Sequence, residues 1–282
     1  RFPENAARAV AHAAGYGAWL ASDEDAPAPA VPTDVDAGRA AAALAHALER
    51  NDADAGWLAP AEVAQLLDAY GIPRPAQRTV GSAAAAAAAA RELGGPVALK
   101  AVAEGLVHRS EVGAVEAGLT SPSAVAGAAR AMRRRLAAAG IAPTGFVVQA
   151  MAGPGVELLA GVVADPTFGP VVACAAGGTT TELLGDPAVG LTPLGPAQAR
   201  ELVRALRVFP LLDGFRGAPR CDVAALEDVL VRLAALADAH PEVAELECNP
   251  VIVGPAGAVA VDARARVRTP PPRLPEPSLR SA

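Results

Sequence analysis

The segment that most constrains this chain is its last long apolar stretch, Val243 to Val267 (VAELECNPVIVGPAGAVAVDARARV), interrupted by Gly254-Pro255-Ala256-Gly257. A tetrapeptide rich in glycine and proline between two β-type runs reads as a hairpin. Pairing about the loop centre sets Asn249 opposite Asp262 and Glu247 opposite Arg264. Alternate residues of a strand share a face, so Glu247, Asn249 and Asp262 converge on one side of the ribbon. Directly opposed Cβ atoms lie about 4.5–5.5 Å apart. That spacing lets two or three oxygens share one hard cation, with waters and phosphates completing an octahedron around Mg²⁺. Pro250 is placed to introduce a bulge and shift this register. The same residues admit a plainer reading, in which Asn249 caps a turn and Asp262 pairs with a nearby Arg.

Upstream, helical and β-type segments alternate, which indicates a layered α/β or α+β domain. Residues 38–50 and 60–72 read as helices, the second opened by Pro60 and closed at Gly71-Ile72-Pro73. A short extended piece, AQRTV, precedes a helix capped by Ser82. PVALKAVA (96–103) reads as a strand and residues 122–139 as a helix. The runs GFVVQAM, VELLAGVVAD and GPVVACAAG read as strands, followed by helices over 196–208 and 222–239. Residues 1–22 read as one short helix, cut from the end of a preceding domain. The acidic, proline-rich stretch 23–36 is a linker. Residues 269–282 form no regular structure and are expected to be a disordered tail.

Composition narrows the function classes. The 282 residues carry a formal net charge of −6, which argues against a nucleic-acid partner. Only 3% of residues are aromatic, so the core must be built from Ala, Val and Leu. No apolar run reaches the roughly 18 residues of a membrane span. Cys174, Cys221 and Cys248 lack metal-ligand spacing and read as reduced, buried thiols of a cytoplasmic protein.

Of the 24 basic residues, one is Lys, Lys100. An isolated buried lysine is costly unless it meets an anion, and a phosphate would serve. The loop after its strand, Glu104 to Val115, carries glycines, a hydroxyl and the titratable His108, and its backbone can approach phosphates as a lid would. A solvated loop histidine is the plainer alternative. Gly177-Gly178 follows a strand, where paired glycines let the backbone close on a ligand or simply turn. Glu182 can reach the same polar centre or sit on a helix. Gln149-Ala150-Met151 ends a strand whose backbone amides can grip an adenine edge, although a plain strand end fits as well.

Taken in order, PVALK, LVHRSEVGAV, GVELLAGVVADPTFGPVVACAAGGTTTELLGD, LLDGFRGAP and ELECNPVIV…AVDARARV resemble the ATP-grasp domain of NDP-forming acyl-CoA synthetases. These are the acetate–CoA ligases (ADP-forming), related to succinyl-CoA synthetase. The resemblance spans about residues 57–268 and implies a two-lobed ATP-grasp fold over 37–268, with lobes at about 57–145 and 146–268. It also makes residues 1–22 a helical remnant of a preceding CoA-ligase domain. It implies that Lys100 holds the phosphates of ATP or ADP, that Gln149, Ala150, Met151, Glu157, Gly177, Gly178 and Glu182 line the nucleotide site, and that Asn249, Asp262 and Glu247 serve Mg²⁺. His108 matches the histidine of the family's HKSDVGGV loop, which relays phosphate to a histidine on the CoA-binding part. Here the loop reads HRSEVGAV, and replacement of a glycine by Ala114 is expected to stiffen it. The acidic motif is Glu-Cys-Asn where Asp-x-Asn is usual.

The implied activity is the phosphoryl-transferring step of an ADP-forming acyl-CoA synthetase, with CoA-binding and CoA-ligase domains as partners that bring CoA and a small carboxylic acid. The alternative is a nucleotide-sensing ATP-grasp module of a multidomain protein acyltransferase, without phosphoryl transfer. A carboxylate–amine ligase of the wider ATP-grasp class offers no covalent histidine step and is a third reading.

Overall fold

The computed structural model describes residues 3–23, 32–51, 55–103, 112–178 and 184–270. The chain divides into two compact units, residues 1–31 and 32–282. In the first, α1 (Pro3–Asp23) is a single helix. The second unit holds everything else.

Its elements follow as α2 (Ala37–Arg50), β1 (Gly56–Trp57), α3 (Pro60–Ala69), β2 (Gln77–Val80), α4 (Ala83–Leu93), β3 (Val97–Val102), β4 (Val115–Leu119), α5 (Pro122–Ala138) and β5 (Gly145–Ala150). Then come β6 (Val156–Asp165), β7 (Gly169–Ala176), β8 (Ala188–Leu191), α6 (Pro196–Ala205), α7 (Phe209–Leu212), a 3-10 turn (Phe215–Gly217) and α8 (Val223–Ala239). The chain closes with β9 (Val243–Gly254), β10 (Gly257–Ala260) and β11 (Ala263–Val267). The helices begin where the sequence supplies caps: Ser82, Ser121 and Asp222 each accept a hydrogen bond from the backbone N–H three residues on, satisfying donors that have no partner inside the helix. The helix expected over 196–208 stops at Ala205, and the separate short α7 starts at Phe209 with Pro210 in its first turn.

Among the described residues two sheets result, with antiparallel pairing throughout. The small one runs β2-β5-β3-β4, and the large one runs β1-β11-β9-β6-β7-β8 with β10 also on β9. One face of the small sheet is covered by α4 and α5, where Ala86, Ala89, Ala90, Ala128 and Ala129 meet Leu99, Phe146 and Val148. Alanine at these contacts lets the layers approach closely, which is how an alanine-rich sequence builds a core. The large sheet packs on α8, whose Leu226, Val229, Leu230 and Leu233 are fully buried. Spacings of three and four put those side chains on one stripe.

The expected lobe boundary near residue 145 is displaced. β5 pairs with β2 and β3 in the small sheet, so the crossing to the large sheet comes after Ala150. Residues 56–72 belong with the large sheet, because β1 pairs with β11 and α3 packs into the core around α8. Cys174 and Cys248 are buried as expected, whereas Cys221 is only half-buried. Among the described residues, no helix is long and apolar enough to cross a membrane.

Candidate nucleotide and metal site

Lys100 lies mid-strand in β3, between β4 and β5. It stands opposite Val147, and Gln149 stands opposite Ala98. These four share the face of the small sheet turned away from its helices. Both Lys100 and Gln149 are buried, at 7% and 3% exposure. Their heads reach the junction between β10 and β11. Lys100 Nζ donates to the Val261 carbonyl at 2.9 Å and lies 3.4 Å from Asp262 Oδ1. Gln149 Nε2 donates to the same carbonyl at 3.0 Å and to Gln77 Oε1 at 3.2 Å. A residual cavity of about 50 Å³, lined by Lys100, Gln149, Gln77, Arg74, Asp262 and Pro60 among others, has room for ordered water only.

The final ribbon keeps the register expected from its turn. Glu247 pairs with Arg264, Cys248 with Ala263 and Gly254 with Gly257. Asn249 N donates to the Asp262 carbonyl at 3.0 Å, and Val261 N to the Pro250 carbonyl at 2.9 Å. The bulge expected at Pro250 appears on the other edge of β9. Leu158 of β6 pairs with Val251 and Ala160 with Cys248, so Asn249 and Pro250 together oppose Leu159.

Around Asn249 the polar groups form a chain. Its Nδ2 donates to Glu247 Oε1 at 3.2 Å, and its Oδ1 accepts from Gly178 N at 3.0 Å. Glu247 Oε2 accepts from Arg264 Nη2 at 2.7 Å. Asp262 pairs with Lys100. Cys248 lies behind these carboxylates. Burial, helped by the charges of Glu247 and Asp262, pushes its thiol up to about 12, which keeps it protonated and inert.

Glu157 opens β6, and Gly177 and Gly178 follow β7, beside the same centre. A Cβ on Gly177 would lie 2.5 Å from the Leu158 carbonyl carbon. Gly178 has φ +62, and a Cβ there would meet the end of the Glu157 side chain. Both positions therefore favour glycine, the first for close approach to the main chain and the second for its backbone conformation. Two carboxylates and one amide oxygen are hard donors that suit Mg²⁺ completed by phosphate and water. Among the described residues, no group of three His, Cys, Asp or Glu side chains could hold a metal alone.

Two sequence expectations need correcting. The backbone amides of Ala150 and Met151 are not open to an adenine edge, because they donate to the carbonyls of Ala76 and Pro96 at 2.9 and 3.1 Å. Only carbonyls and side chains remain to face a ligand there. Ala114 does not take over a glycine's special conformation, since the positive φ falls on Gly113, while Ala114 is buried against the small-sheet core. His108 and Glu182 lie outside the described residues. The residue that sequence reasoning left without a role is Arg264. Its place opposite Glu247 in the ladder was the available signal.

A family profile described as ATP-grasp domain matches residues 49–267. The chain is 30% identical over 221 residues to the beta subunit of acetate–CoA ligase (ADP-forming) I from Pyrococcus furiosus, an alignment covering 77% of this chain and 94% of that one. It is 36% identical over 216 residues to a trans-feruloyl-CoA synthase from an unknown prokaryotic organism, covering 75% of this chain and 31% of the synthase. The chain thus spans about a third of that single-chain relative. Among solved structures, the dinucleotide-forming acetyl-coenzyme A synthetase 1 of Ca. Korarchaeum cryptofilum, in complex with coenzyme A, Ca-AMPCP and HgCl⁺, matches with a TM-score of 0.75 and 34% identity over 80% of this chain and 98% of that one. A second structure of that synthetase, with coenzyme A and Mg-AMPPCP, has its phosphohistidine segment pointing towards the nucleotide binding site. It matches with a TM-score of 0.71 and 34% identity, covering 81% of this chain and all of that one. With a profile match over most of its length and near-complete overlap with a ligase subunit, this chain belongs to the ATP-grasp family, as the ATP-grasp domain of the ADP-forming acyl-CoA synthetases.

Proposed function

We propose that this chain binds Mg·ATP between its two sheets and transfers the γ-phosphoryl group to His108, in the reversible interconversion of acyl-CoA, ADP and phosphate with acid, CoA and ATP. The observation that carries this reading is the position of the chain's single lysine, buried on the small sheet and aimed 3.4 Å from Asp262 of the large sheet. Lys100 holds the phosphates. Gln149, Ala150 and Met151 line the base pocket through carbonyls and side chains, and Glu157, Gly177, Gly178 and Glu182 border the phosphates. Asn249 and Asp262 hold Mg²⁺, with Glu247 beside them. Mg²⁺, when bound, supplies charge neutralisation on the phosphoryl oxygens.

In the transfer itself, an imidazole nitrogen of His108 forms a bond to the γ-phosphorus while the bond to the β-phosphate bridging oxygen breaks, and ADP leaves with that electron pair. A histidine suits the role because its phosphoramidate retains a high transfer potential. CoA-binding and CoA-ligase domains, in the same polypeptide or on another, receive the phosphoryl group and bring CoA and a small carboxylic acid. In this reading residues 1–22 are the end of the CoA-ligase domain, 23–36 the linker and 269–282 a tail, and the enzyme works in the cytoplasm. Incubation with γ-labelled ATP should leave acid-labile, base-stable label that vanishes in His108→Ala. Label that persists in the variant refutes the role of His108. Tight Mg·ATP binding without label, even with partner domains supplied, turns the reading into nucleotide sensing.

A further inference from the structure

Arg264 is the cation that closes the polar chain around Asn249. It sits on β11 directly opposite Glu247, donates to Glu247 Oε2 at 2.7 Å and lies 3.9 Å from Glu245 Oε1. Its guanidinium carbon stands 5.5 Å from the centre of the Trp57 ring, so β1 and β9 hold it from both sides. The other oxygen of Glu247 accepts from Asn249 Nδ2. On the far side of the amide, Asn249 Oδ1 accepts the Gly178 N–H. The opposite amide orientation would set oxygen against the Glu247 carboxylate and N–H against the Gly178 N–H. Both ends of Asn249 therefore select one orientation, and Glu247 selects it only while its carboxylate is aimed at Nδ2. An amide oxygen has two lone pairs. Gly178 takes one and leaves the other for a cation.

We propose that Arg264 is a positioning residue for the cation site, holding the Glu247 carboxylate in place against Asn249 and so fixing the oxygen that Asn249 presents. This rests on the nucleotide and metal reading above. Removing an outer partner of a metal ligand typically costs about 10–100-fold in metal affinity, whereas an ordinary surface ion pair contributes little to anything.

The test is calorimetric titration of the full chain with AMPPCP, in Mg²⁺ and in EDTA. Arg264→Met should weaken binding in Mg²⁺ by about tenfold or more while leaving the affinity in EDTA within about twofold. Arg264→Lys restores the charge without the planar fork and should recover part of the loss. Undiminished Mg²⁺-dependent binding in Arg264→Met overturns the proposal. So does an equal loss with and without Mg²⁺, which would mean that Arg264 serves only the fold. If Arg264→Met does not fold, Glu247→Gln keeps the volume and removes the charge, and it should show the same Mg²⁺-selective loss. Unchanged binding in that variant refutes the relay. A wild-type chain that binds no Mg·AMPPCP removes the nucleotide reading itself, a result distinct from either of these.

Discussion

Lys100 and Asp262 are assigned to phosphate and to Mg²⁺, yet in the structure they engage each other. A phosphate arriving at Lys100 must replace a carboxylate. Substituting Asp262→Asn isolates that competition, because the amide keeps the volume and a hydrogen-bonding oxygen while losing the charge. At 3.4 Å and an effective dielectric constant of about 20, two unit charges attract by about 5 kcal/mol. The Asp262 side chain is 37% exposed, so water screens most of this and leaves a net of about 1 kcal/mol. That corresponds to roughly a fivefold change in affinity. In EDTA, Asp262→Asn should therefore bind AMPPCP about fivefold more tightly than the wild type. In Mg²⁺ the order reverses, because the wild type gains a metal ligand that the variant lacks. The added stimulation by Mg²⁺ should shrink accordingly. A double-mutant cycle with Lys100→Met shows whether the gain runs through the ammonium, since in that background Asp262→Asn should no longer improve binding in EDTA. Equal or weaker metal-free binding by Asp262→Asn would refute the competition.

Two further outcomes follow from particular atoms. Gly177→Ala places a Cβ 2.5 Å from the Leu158 main chain, which cannot yield as a side-chain end can. It should lower the free energy of urea unfolding by about 2 kcal/mol, in the range of other overpacking substitutions; a loss below about 0.5 kcal/mol would contradict the close approach of β6 and β7. Burial holds His240 below its ordinary value of 6.5, against the opposing charge of Glu242. Between the folded and unfolded values the unfolded chain binds the extra proton, so stability should fall as pH drops below about 6.5. Denaturation midpoints at pH 7.5 and 5.5 should differ less in His240→Gln than in the wild type.

What the sequence made legible was local. The turn at Gly254–Gly257 set the register of β9 with β10 and β11, and the cap at Ser82 set the start of α4. In each case the determinant lies within a few residues of the element it controls. Membership of a sheet is not local. That Gly56-Trp57 pairs with Val267-Arg266 depends on a contact across some 210 residues, and two residues carry no period from which to predict it. Nor could the sequence say that Ala76 and Pro96 would consume the amides of Ala150 and Met151, because strand ends look free until their neighbours in the sheet are known.

The phase of β9 explains why polar side chains can stand in a strand that also builds the core. Before the bulge the even-numbered residues Leu246 and Cys248 are buried, and after it the odd-numbered Val251 and Val253 are. The neighbouring strands repeat the change: Ala258 and Ala260 face inward on β10, then Ala265 and Val267 on β11. β6 has no such break, since Leu158 and Ala160 are both buried and pair across it. A strict two-residue period would have sent either the polar pair or the following valines to the wrong face. The extra residue at Asn249-Pro250, matched by Val261-Asp262 opposite, resets the alternation, so that Glu247, Asn249 and Asp262 are presented without placing a charge in the core. The apolar pattern LECNPVIV breaks phase at this same point, so the sequence carries in its periodicity the location of the residues that its chemistry singles out.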